Sequence, residues 1–157
     1  MKKNVSLFLL AALLVFVCTA CGSKKNDKDI TVDISKLCED LKGTITSGDL
    51  AEDSSNLIAS TYFFDMSKIE ESAAALNSGA SACEVAVVKC SDSSYVKDVE
   101  ELFKTRVKNQ SELFAAYNAT EVAKLESAVL KSAGNYVVFC VTDDTAKAEE
   151  IIKNAGF

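Results

Sequence analysis

The 157-residue chain contains no histidine, no proline and no tryptophan, and these absences exclude several kinds of chemistry. Without histidine there is no Ser–His or Cys–His nucleophile pair and no histidine-ligated metal. The chain also has no glycine-rich phosphate loop. Without proline, and with only six glycines, the sequence favours compact secondary structure over long loops. We therefore expect neither a recognised catalytic motif nor a metal site, and predict that the protein is not an enzyme.

Basic residues are also few, with 17 lysines and arginines against 23 acids and a net charge of −6. Nucleic-acid binding needs clustered Lys and Arg, and the sequence has no basic stripe interleaved with aromatic residues. Adjacent acids on a helix do not face one another, so they make poor acid–base pairs. The pairs in question are Glu70-Glu71, Glu100-Glu101, Asp143-Asp144 and Glu149-Glu150. We expect no nucleic-acid partner and assign these acids to solvated surfaces.

The first 21 residues have the order of a bacterial export signal followed by a lipidation site. Lys2 and Lys3 precede an apolar run over residues 5–17, and small residues surround Cys21. The run would be about 20 Å long as a helix, against a hydrocarbon core of roughly 30 Å, so a cleaved signal is favoured over a retained transmembrane anchor. The place three residues before the acylated cysteine, usually leucine, is Cys18 here. Cys21 is the better acceptor because small residues precede it.

We therefore predict a signal peptide over residues 1–20, a diacylglycerol thioether on Cys21 and a flexible polar tether over residues 21–29. The expected location is the outer, extracytoplasmic face of the cell membrane, held by the lipid anchor. Loss of Lys2 and Lys3 leaves 15 basic against 23 acidic side chains, a net charge of −8. Such an acidic domain is not attracted to an anionic membrane surface, so the acyl chains must hold it at the membrane. No other cofactor is expected.

Residues 30–157 are long enough for one domain with a single core. Hydrophobic periodicity and turn residues predict the order helix, uncertain segment, two strands, long helix, short helix, two strands, helix. The segments are a helix from Ile34 to Ile45 capped by Asp33, a strand or short helix over 57–64, strands over 70–77 and 83–90, helices over 95–117 and 118–126, strands over 128–132 and 136–142, and a final helix capped by Asp143 or Asp144 and ending at Gly156. Two hairpins separated by helices predict an α+β domain whose antiparallel sheet is covered on one face.

The long helix contains the most informative polar residues of the domain. At 100° per residue, seven apolar side chains share one face, namely Val99, Leu102, Phe103, Val107, Leu113, Phe114 and Tyr117. Arg106, the only arginine of the chain, and Gln110 lie in the middle of that face. A buried guanidinium needs a carboxylate or carbonyl partner. The functional interpretation is a polar pocket for a small anion, and the structural one is an ion pair with Glu84 or Glu126 or a stem that reaches the edge of the core.

Four cysteines lie in the predicted domain: Cys38, Cys83, Cys90 and Cys140. Cys83 and Cys90 cannot pair if one strand carries both, because seven residues extend over roughly 20 Å. A Cys90–Cys140 bridge between neighbouring strands is conceivable. The spacings match neither a CxxC redox motif nor a zinc site. Buried thiols acting as small apolar side chains are the favoured interpretation.

Several short sequences together resemble a known domain family. They are Glu84 to Lys89 (EVAVVK), Arg106 within 99–114, Tyr117 at the helix junction, and Gly134 to Val138 (GNYVV). Over roughly residues 34–155 the chain resembles DUF4358, an uncharacterised lipoprotein domain common in Clostridia and related Firmicutes. The resemblance implies a lipoprotein context and a strand over 70–77, and brings no established activity or ligand. The four cysteines lie outside the family pattern.

We therefore expect a lipid-anchored, non-catalytic module of the envelope that binds a protein partner or a small ligand. An enzyme whose thiol or carboxylate chemistry is built on Cys90, Cys140, Glu84 or Arg106 is an alternative. An accessory lipoprotein of a transporter is another, although the domain is short for a two-lobed solute receptor. An open cavity around Arg106 and Gln110 would favour ligand binding there, whereas a sealed, carboxylate-paired arginine would be structural.

Overall fold

The computed structural model describes residues 30–52, 55–77 and 80–157. The predicted signal peptide, the predicted tether and the lipidation site at Cys21 lie outside these residues, as do positions 78–79 of the predicted turn. No helix in the described ranges combines the length and apolarity that crossing a membrane requires.

Five helices and five strands form within these ranges. The helices are α1 (Ile34–Lys42), α2 (Ser55–Tyr62), α3 (Val96–Ala115), α4 (Ala119–Glu126) and α5 (Thr145–Asn154), and the strands are β1 (Leu50–Glu52), β2 (Ile69–Asn77), β3 (Glu84–Cys90), β4 (Val129–Ala133) and β5 (Tyr136–Val141). Short 3-10 helices at Met66–Lys68 and Ser93–Tyr95 precede β2 and α3. The predicted α+β class is confirmed.

The strands form one antiparallel sheet in the order β1-β2-β3-β5-β4. The two predicted hairpins, β2–β3 and β4–β5, are joined through the β3–β5 pair, in which Val85 lies opposite Cys140 and Val87 opposite Val138. The turn between β4 and β5 uses Gly134, whose φ of +54° is the left-handed conformation that glycine adopts without strain. The paired strands β3 and β5 lie inside the sheet, with β2 next to β3 and β4 next to β5.

Helices cover both faces of the sheet, so the prediction of a sheet covered on one face is wrong. Ala86 and Val88 of β3 face a core shared with α2, α3 and α4, whereas Val85 and Val87 face a second core shared with α1 and α5. Every residue of β5 is buried. A strand buried on both sides carries a continuous apolar run rather than an alternation, which explains the composition of β3 and β5.

Local signals predicted most helix ends. Asp33 and Asp144 cap α1 and α5 by accepting hydrogen bonds from backbone N–H groups of the first turn, and Gly43 follows the end of α1. Residues 57–64, which fitted either a strand or a helix, belong mainly to α2. The strand β1 was not predicted, because its three residues lie in an acidic, serine-rich connection and pair with the end of β2.

The apolar face of α3 is only partly buried. Val99, Phe103 and Phe114 are buried as predicted, but Leu113 and Tyr117 are 54% and 58% exposed. The helix ends at Ala115, so Tyr117 lies in the connection to α4. The predicted placement of Leu113 and Tyr117 in the buried face is therefore wrong, because helical periodicity could not show that the chain reaches the protein surface near the end of α3.

The described chain begins next to its last residues. A Cβ on Gly156 would lie 3.6 Å from Cγ2 of Ile30, and both Ile30 and Phe157 pack against the core formed with α1 and α5. The segment that leads to the predicted tether and the residues after α5 are thus at the same end of the domain.

Candidate functional site

Arg106 and Glu84 form a bidentate ion pair across the core. Arg106 Nε lies 3.1 Å from Glu84 Oε1, and Nη2 lies 3.1 Å from Oε2. The Tyr62 hydroxyl donates to Glu84 Oε2 over 3.2 Å, and the guanidinium lies 5.9 Å from the Tyr62 ring centroid. Parallel N–H donors make arginine well suited to this geometry.

Three elements position these groups. Glu84 is the first residue of β3, Arg106 is in the middle of α3, and Tyr62 ends α2. The Glu84 side chain is 3% exposed, whereas that of Arg106 is 25% exposed. The carboxylate is thus sealed beneath the helices, and the guanidinium covers it from the surface. This is the arrangement expected of a structural ion pair.

The other two predicted members of this site lie apart from the ion pair. Gln110 is partly buried one turn further along α3, and Glu126 is exposed at the last residue of α4. Of the two glutamates predicted as partners of Arg106, Glu84 forms the ion pair. The pairing uses the Nε and Nη2 donors of the guanidinium.

A second polar cluster surrounds Lys124 and was not predicted. Lys124 Nζ lies 2.9 Å from Glu121 Oε1 and 2.9 Å from Asp143 Oδ1. It also donates to Ser47 Oγ over 2.8 Å and lies 3.8 Å from Cys83 Sγ. The side chains of Lys124, Glu121 and Asp143 are 16%, 8% and 19% exposed. The ammonium group is therefore enclosed by two carboxylates and a hydroxyl.

Asp143 links the end of β5 to the loop after α1. Its Oδ2 accepts hydrogen bonds from the backbone N–H groups of Thr46 (2.7 Å) and Ser47 (2.8 Å), and Ser47 Oγ donates to both of its oxygens. Thr142, the residue before it, donates its hydroxyl proton to Thr44 O over 2.7 Å. The sequence suggested Asp143 as a cap of the last helix, but Asp144 has that role and Asp143 holds the loop.

Glu121 has a similar linking role. Its Oε2 accepts from Ala82 N–H at 2.7 Å and from Ser81 Oγ at 3.0 Å, so it holds the segment that leads into β3. Asn118 and Glu121 have the three-residue spacing of a reciprocal capping box. Instead, Asn118 Oδ1 accepts from Thr120 N–H, and the Glu121 side chain turns into the Lys124 cluster.

Charge pairing dominates the electrostatics of the Lys124 cluster. Burial raises the pKa of Asp143, but the hydrogen bonds from Lys124, Thr46 and Ser47 outweigh it and hold that pKa well below its usual range. Burial likewise opposes a lower pKa at Glu121, where the bonds from Ala82 and Lys124 prevail. Burial lowers the pKa of Lys124, yet Asp143 and Glu121 raise it above its ordinary value. All three groups are therefore charged at neutral pH.

A serine hydroxyl beside a lysine could in principle form a nucleophile–base pair. Such a base must be neutral to accept a proton, and burial without counter-charges is what lowers a lysine pKa to that point. Lys124 has two carboxylate partners and remains an ammonium, so it donates to Ser47 Oγ rather than accepting from it. The geometry of Lys124 fits a role in positioning the groups around it.

The described cysteines are all buried, and Cys83, Cys90 and Cys140 carry free thiols. The conceivable Cys90–Cys140 bridge is not formed, because Cys140 lies opposite Val85 while Cys90 pairs with Ile69 at the other end of β3. Burial raises the pKa of Cys90 to about 11 and that of Cys140 to about 12. These two thiols are poor nucleophiles at neutral pH.

A surface cavity lies between α1 and α5. Its volume is about 480 Å³, within the range typical of small-molecule sites. It is lined by Thr31, Val32, Asp33, Lys36, Leu37, Asp40, Ile151, Asn154 and Ala155. Val32 and Leu37 are buried and form an apolar floor, while Asp33, Lys36 and Asp40 form a charged rim. No group of side chains in the described ranges has the arrangement needed to hold a metal ion.

Neither the Lys124 cluster nor this cavity was predicted from the sequence. The cluster joins residues from four separate segments, and only the i,i+3 pair of Glu121 and Lys124 is visible as a local signal. The cavity has a clearer local signal: Asp33, Lys36, Leu37 and Asp40 recur at helical spacing on one face of α1.

Comparison with known proteins gives one match. A family model described as "Domain of unknown function (DUF4358)" matches residues 44–142, which is 99 of the 157 residues. No curated protein and no solved structure was found to match the chain.

Proposed function

The chain belongs to the DUF4358 family, and we propose that it is a lipid-anchored, non-catalytic module that binds a small ligand on the outer face of the cytoplasmic membrane. The location rests on the N-terminal sequence, with its cationic start, short apolar run and Cys21 among small residues. The lipid on Cys21 is the only covalent group that the proposal requires.

The single observation that carries the binding role is the cavity between α1 and α5. It combines an apolar floor with a charged rim, which is the usual composition of a site that orients a small organic molecule. It is lined by residues 31–33, directly after the predicted tether, so a bound ligand would lie at the end of the domain from which the anchor extends.

The state of the polar clusters supports a non-catalytic role. Glu84 is sealed beneath Arg106, Lys124 is an ammonium, and the carboxylate that accepts the Ser47 proton is Asp143, whose pKa lies well below its usual range. Neither Lys124 nor Asp143 is a base suited to activating Ser47. An enzyme that used the Ser47 hydroxyl or the Cys83 thiol would be labelled by a reactive probe in the folded chain. We expect neither fluorophosphonate labelling of Ser47 nor iodoacetamide labelling of Cys83, each compared with the chain unfolded in guanidinium chloride.

Mass spectrometry of the membrane fraction tests the anchor. The expected species begins at Cys21 and carries a diacylglycerol mass on that residue, whereas a Cys21→Ser variant should be absent from the membrane in this lipidated form. Detection of intact Met1 or of an unmodified thiol at Cys21 in the wild-type chain would contradict the proposed anchoring.

A thermal-shift screen of the full-length chain against small metabolites tests the binding role. A ligand that binds only the folded state raises the melting temperature, and the rise grows with the logarithm of the ligand concentration above the Kd. Ala155→Leu places three extra carbons in the cavity and should abolish the shift, whereas Ala146→Leu, on an exposed position of the same helix, should keep it. A shift that survives Ala155→Leu would place the ligand elsewhere.

Binding of an envelope protein is a second candidate, favoured by exposed apolar side chains. Leu113 and Tyr117 are more than half exposed near the end of α3, and Phe63 is 77% exposed with a strained φ of +61°. A photocrosslinking residue at position 113 should capture a reproducible membrane partner, and the same residue at exposed Lys104 should not. Equal capture at both positions would count against this candidate.

A further inference from the structure

The rim of the cavity between α1 and α5 carries unbalanced negative charge. Asp33, Lys36 and Asp40 lie on one face of α1, at spacings of three and four residues. Lys36 Nζ is bonded to Asp40, so these two charges offset one another. The Asp33 carboxylate is not part of that ion pair, and its Oδ1 accepts the backbone N–H of Lys36. The rim therefore has a net charge of −1.

The other wall of the cavity has the same polarity. Ile151 and Asn154 come from the last turn of α5 and Ala155 caps it, so this wall lies at the negative end of the helix dipole. The positive N-terminal end of α1 is capped by the Asp33 carboxylate. A cation between Asp33 and the end of α5 is therefore favoured over an anion.

The floor of the cavity sets the second requirement for a ligand. Val32 and Leu37 are buried beneath it, and Ile151 and Ala155 are partly buried at its sides. An inorganic cation would leave these apolar surfaces in water, whereas a short hydrocarbon group would cover them. Charge and apolar surface thus select for the same kind of molecule.

We infer that the cavity takes a small organic ammonium compound, with its cationic group between Asp33 and the C-terminus of α5 and its hydrocarbon group on the floor. This inference rests on the proposed function and specifies its ligand class. The ammonium can come from a free amine or from an amine-bearing lipid headgroup, because the cavity adjoins the residues that lead to the predicted anchor.

The test uses the full-length chain, labelled with ¹⁵N in maltoside micelles, and three probes of equal length: hexylammonium, hexanoate and hexanol. Hexylammonium should give saturable shifts in the backbone amide signals of Thr31–Leu37 and Ile151–Ala155. Hexanoate should bind at least several-fold more weakly. Micelles doped with phosphatidylethanolamine should shift the same signals if a headgroup is the source, and phosphatidylglycerol should not.

Charge-changing variants make the test specific. Asp33→Asn keeps a good N-cap while removing the charge, so we expect two- to five-fold weaker hexylammonium binding, the loss of a single exposed ion pair. Asp33→Asn with Asp40→Asn leaves Lys36 as the only rim charge, and hexanoate should then bind better than hexylammonium. The control Asp144→Asn makes the same change at the cap of α5, at the other end of that helix, and should leave binding unchanged.

Two different results would overturn the inference. If hexanoate or hexanol shifts the cavity signals as strongly as hexylammonium does in the wild-type chain, the ammonium assignment fails and the binding module stands. If none of the three probes gives a saturable shift at those signals, both the ligand class and the proposed function fail.

Discussion

Lys124 Nζ and Asp143 Oδ1 lie 2.9 Å apart and join α4 to the segment between β5 and α5. Through Asp143 the contact extends to the backbone of Thr46 and Ser47, and through Glu121 it extends to Ala82. One ammonium group thus fixes two loops and a helix at one end of the sheet. The cost of losing this contact is the first prediction.

Asp143→Asn should lower the free energy of unfolding by about 1–3 kcal/mol, because it removes a charged acceptor from a mostly buried ammonium. Denaturant titration of the full-length chain measures this change. Glu149→Gln removes the same charge from an exposed position of α5 and should stay within about 0.5 kcal/mol of wild type. Equal effects of the two substitutions would show that the contact contributes nothing beyond net charge.

The stability difference between wild type and Asp143→Asn should depend on pH. Because the folded-state pKa of Asp143 lies below its unfolded value of about 3.9, its contribution is complete above that value and is lost as pH falls through the folded pKa. The pKa of Lys124 is raised, so its contribution persists up to about pH 10 and is lost above the folded value. The difference should be flat from about pH 5 to 9 and shrink below about pH 4. A change in this stability difference near pH 7 would mean that a group other than Asp143 and Lys124 titrates there.

Arg106→Met should destabilise the protein by about 2–4 kcal/mol, slightly below the range for fully buried pairs because the guanidinium is one-quarter exposed. The cause is the uncompensated carboxylate of Glu84. Replacing both residues, as Arg106→Met with Glu84→Leu, should recover much of this loss, since apolar side chains of similar volume often substitute for a buried ion pair. If the double variant is destabilised by the sum of the losses of the two single variants, the pairing is contradicted.

Gly48→Ala should destabilise the loop between α1 and β1 by more than about 1 kcal/mol. The φ of Gly48 is +93°, and a Cβ there would lie 2.0 Å from Asn77 Nδ2. Gly43 has an ordinary helical φ of −63°, so Gly43→Ala provides a control with a much smaller effect. Similar melting temperatures for the two variants would contradict the steric argument.

The thiols of Cys90 and Cys140 should resist alkylation in the folded chain at pH 8. Burial raises their pKa values to about 11 and about 12, and both side chains are inaccessible. Peptide mass spectrometry after brief iodoacetamide treatment should find them unmodified, and modified once the chain is unfolded. Native labelling at the rate of a free cysteine would refute their burial.

The features that were predictable from sequence are those encoded within one or two helical turns. Asp33 and Asp144 cap their helices because an aspartate before an apolar periodic segment accepts the free N–H groups of the first turn. The continuous apolar runs of β3 and β5 also carried a signal for burial on both faces, which the prediction of a sheet covered on one face did not use.

The features that were not predictable depend on residues far apart in the chain. Arg106 had two candidate glutamates, and only the packing of α3 over the start of β3 selects Glu84. Lys124 contacts Ser47, which lies far before it in the chain, and Asp143, which lies after it, and no local sequence pattern relates the three residues. The strand β1 forms because it pairs with the edge of β2, and its own residues do not favour a strand.

The contact between Ile30 and Gly156 has a practical consequence for engineering this protein. Because Gly156 lies beside Ile30, a reporter fused after Phe157 would emerge next to the residue that follows the predicted tether, and the proposed anchor at Cys21 would keep it near the bilayer. A short peptide joining Phe157 to Ile30 should allow a circular permutant of residues 30–157 to be opened in a surface loop on the opposite side, which would move both new termini to that side.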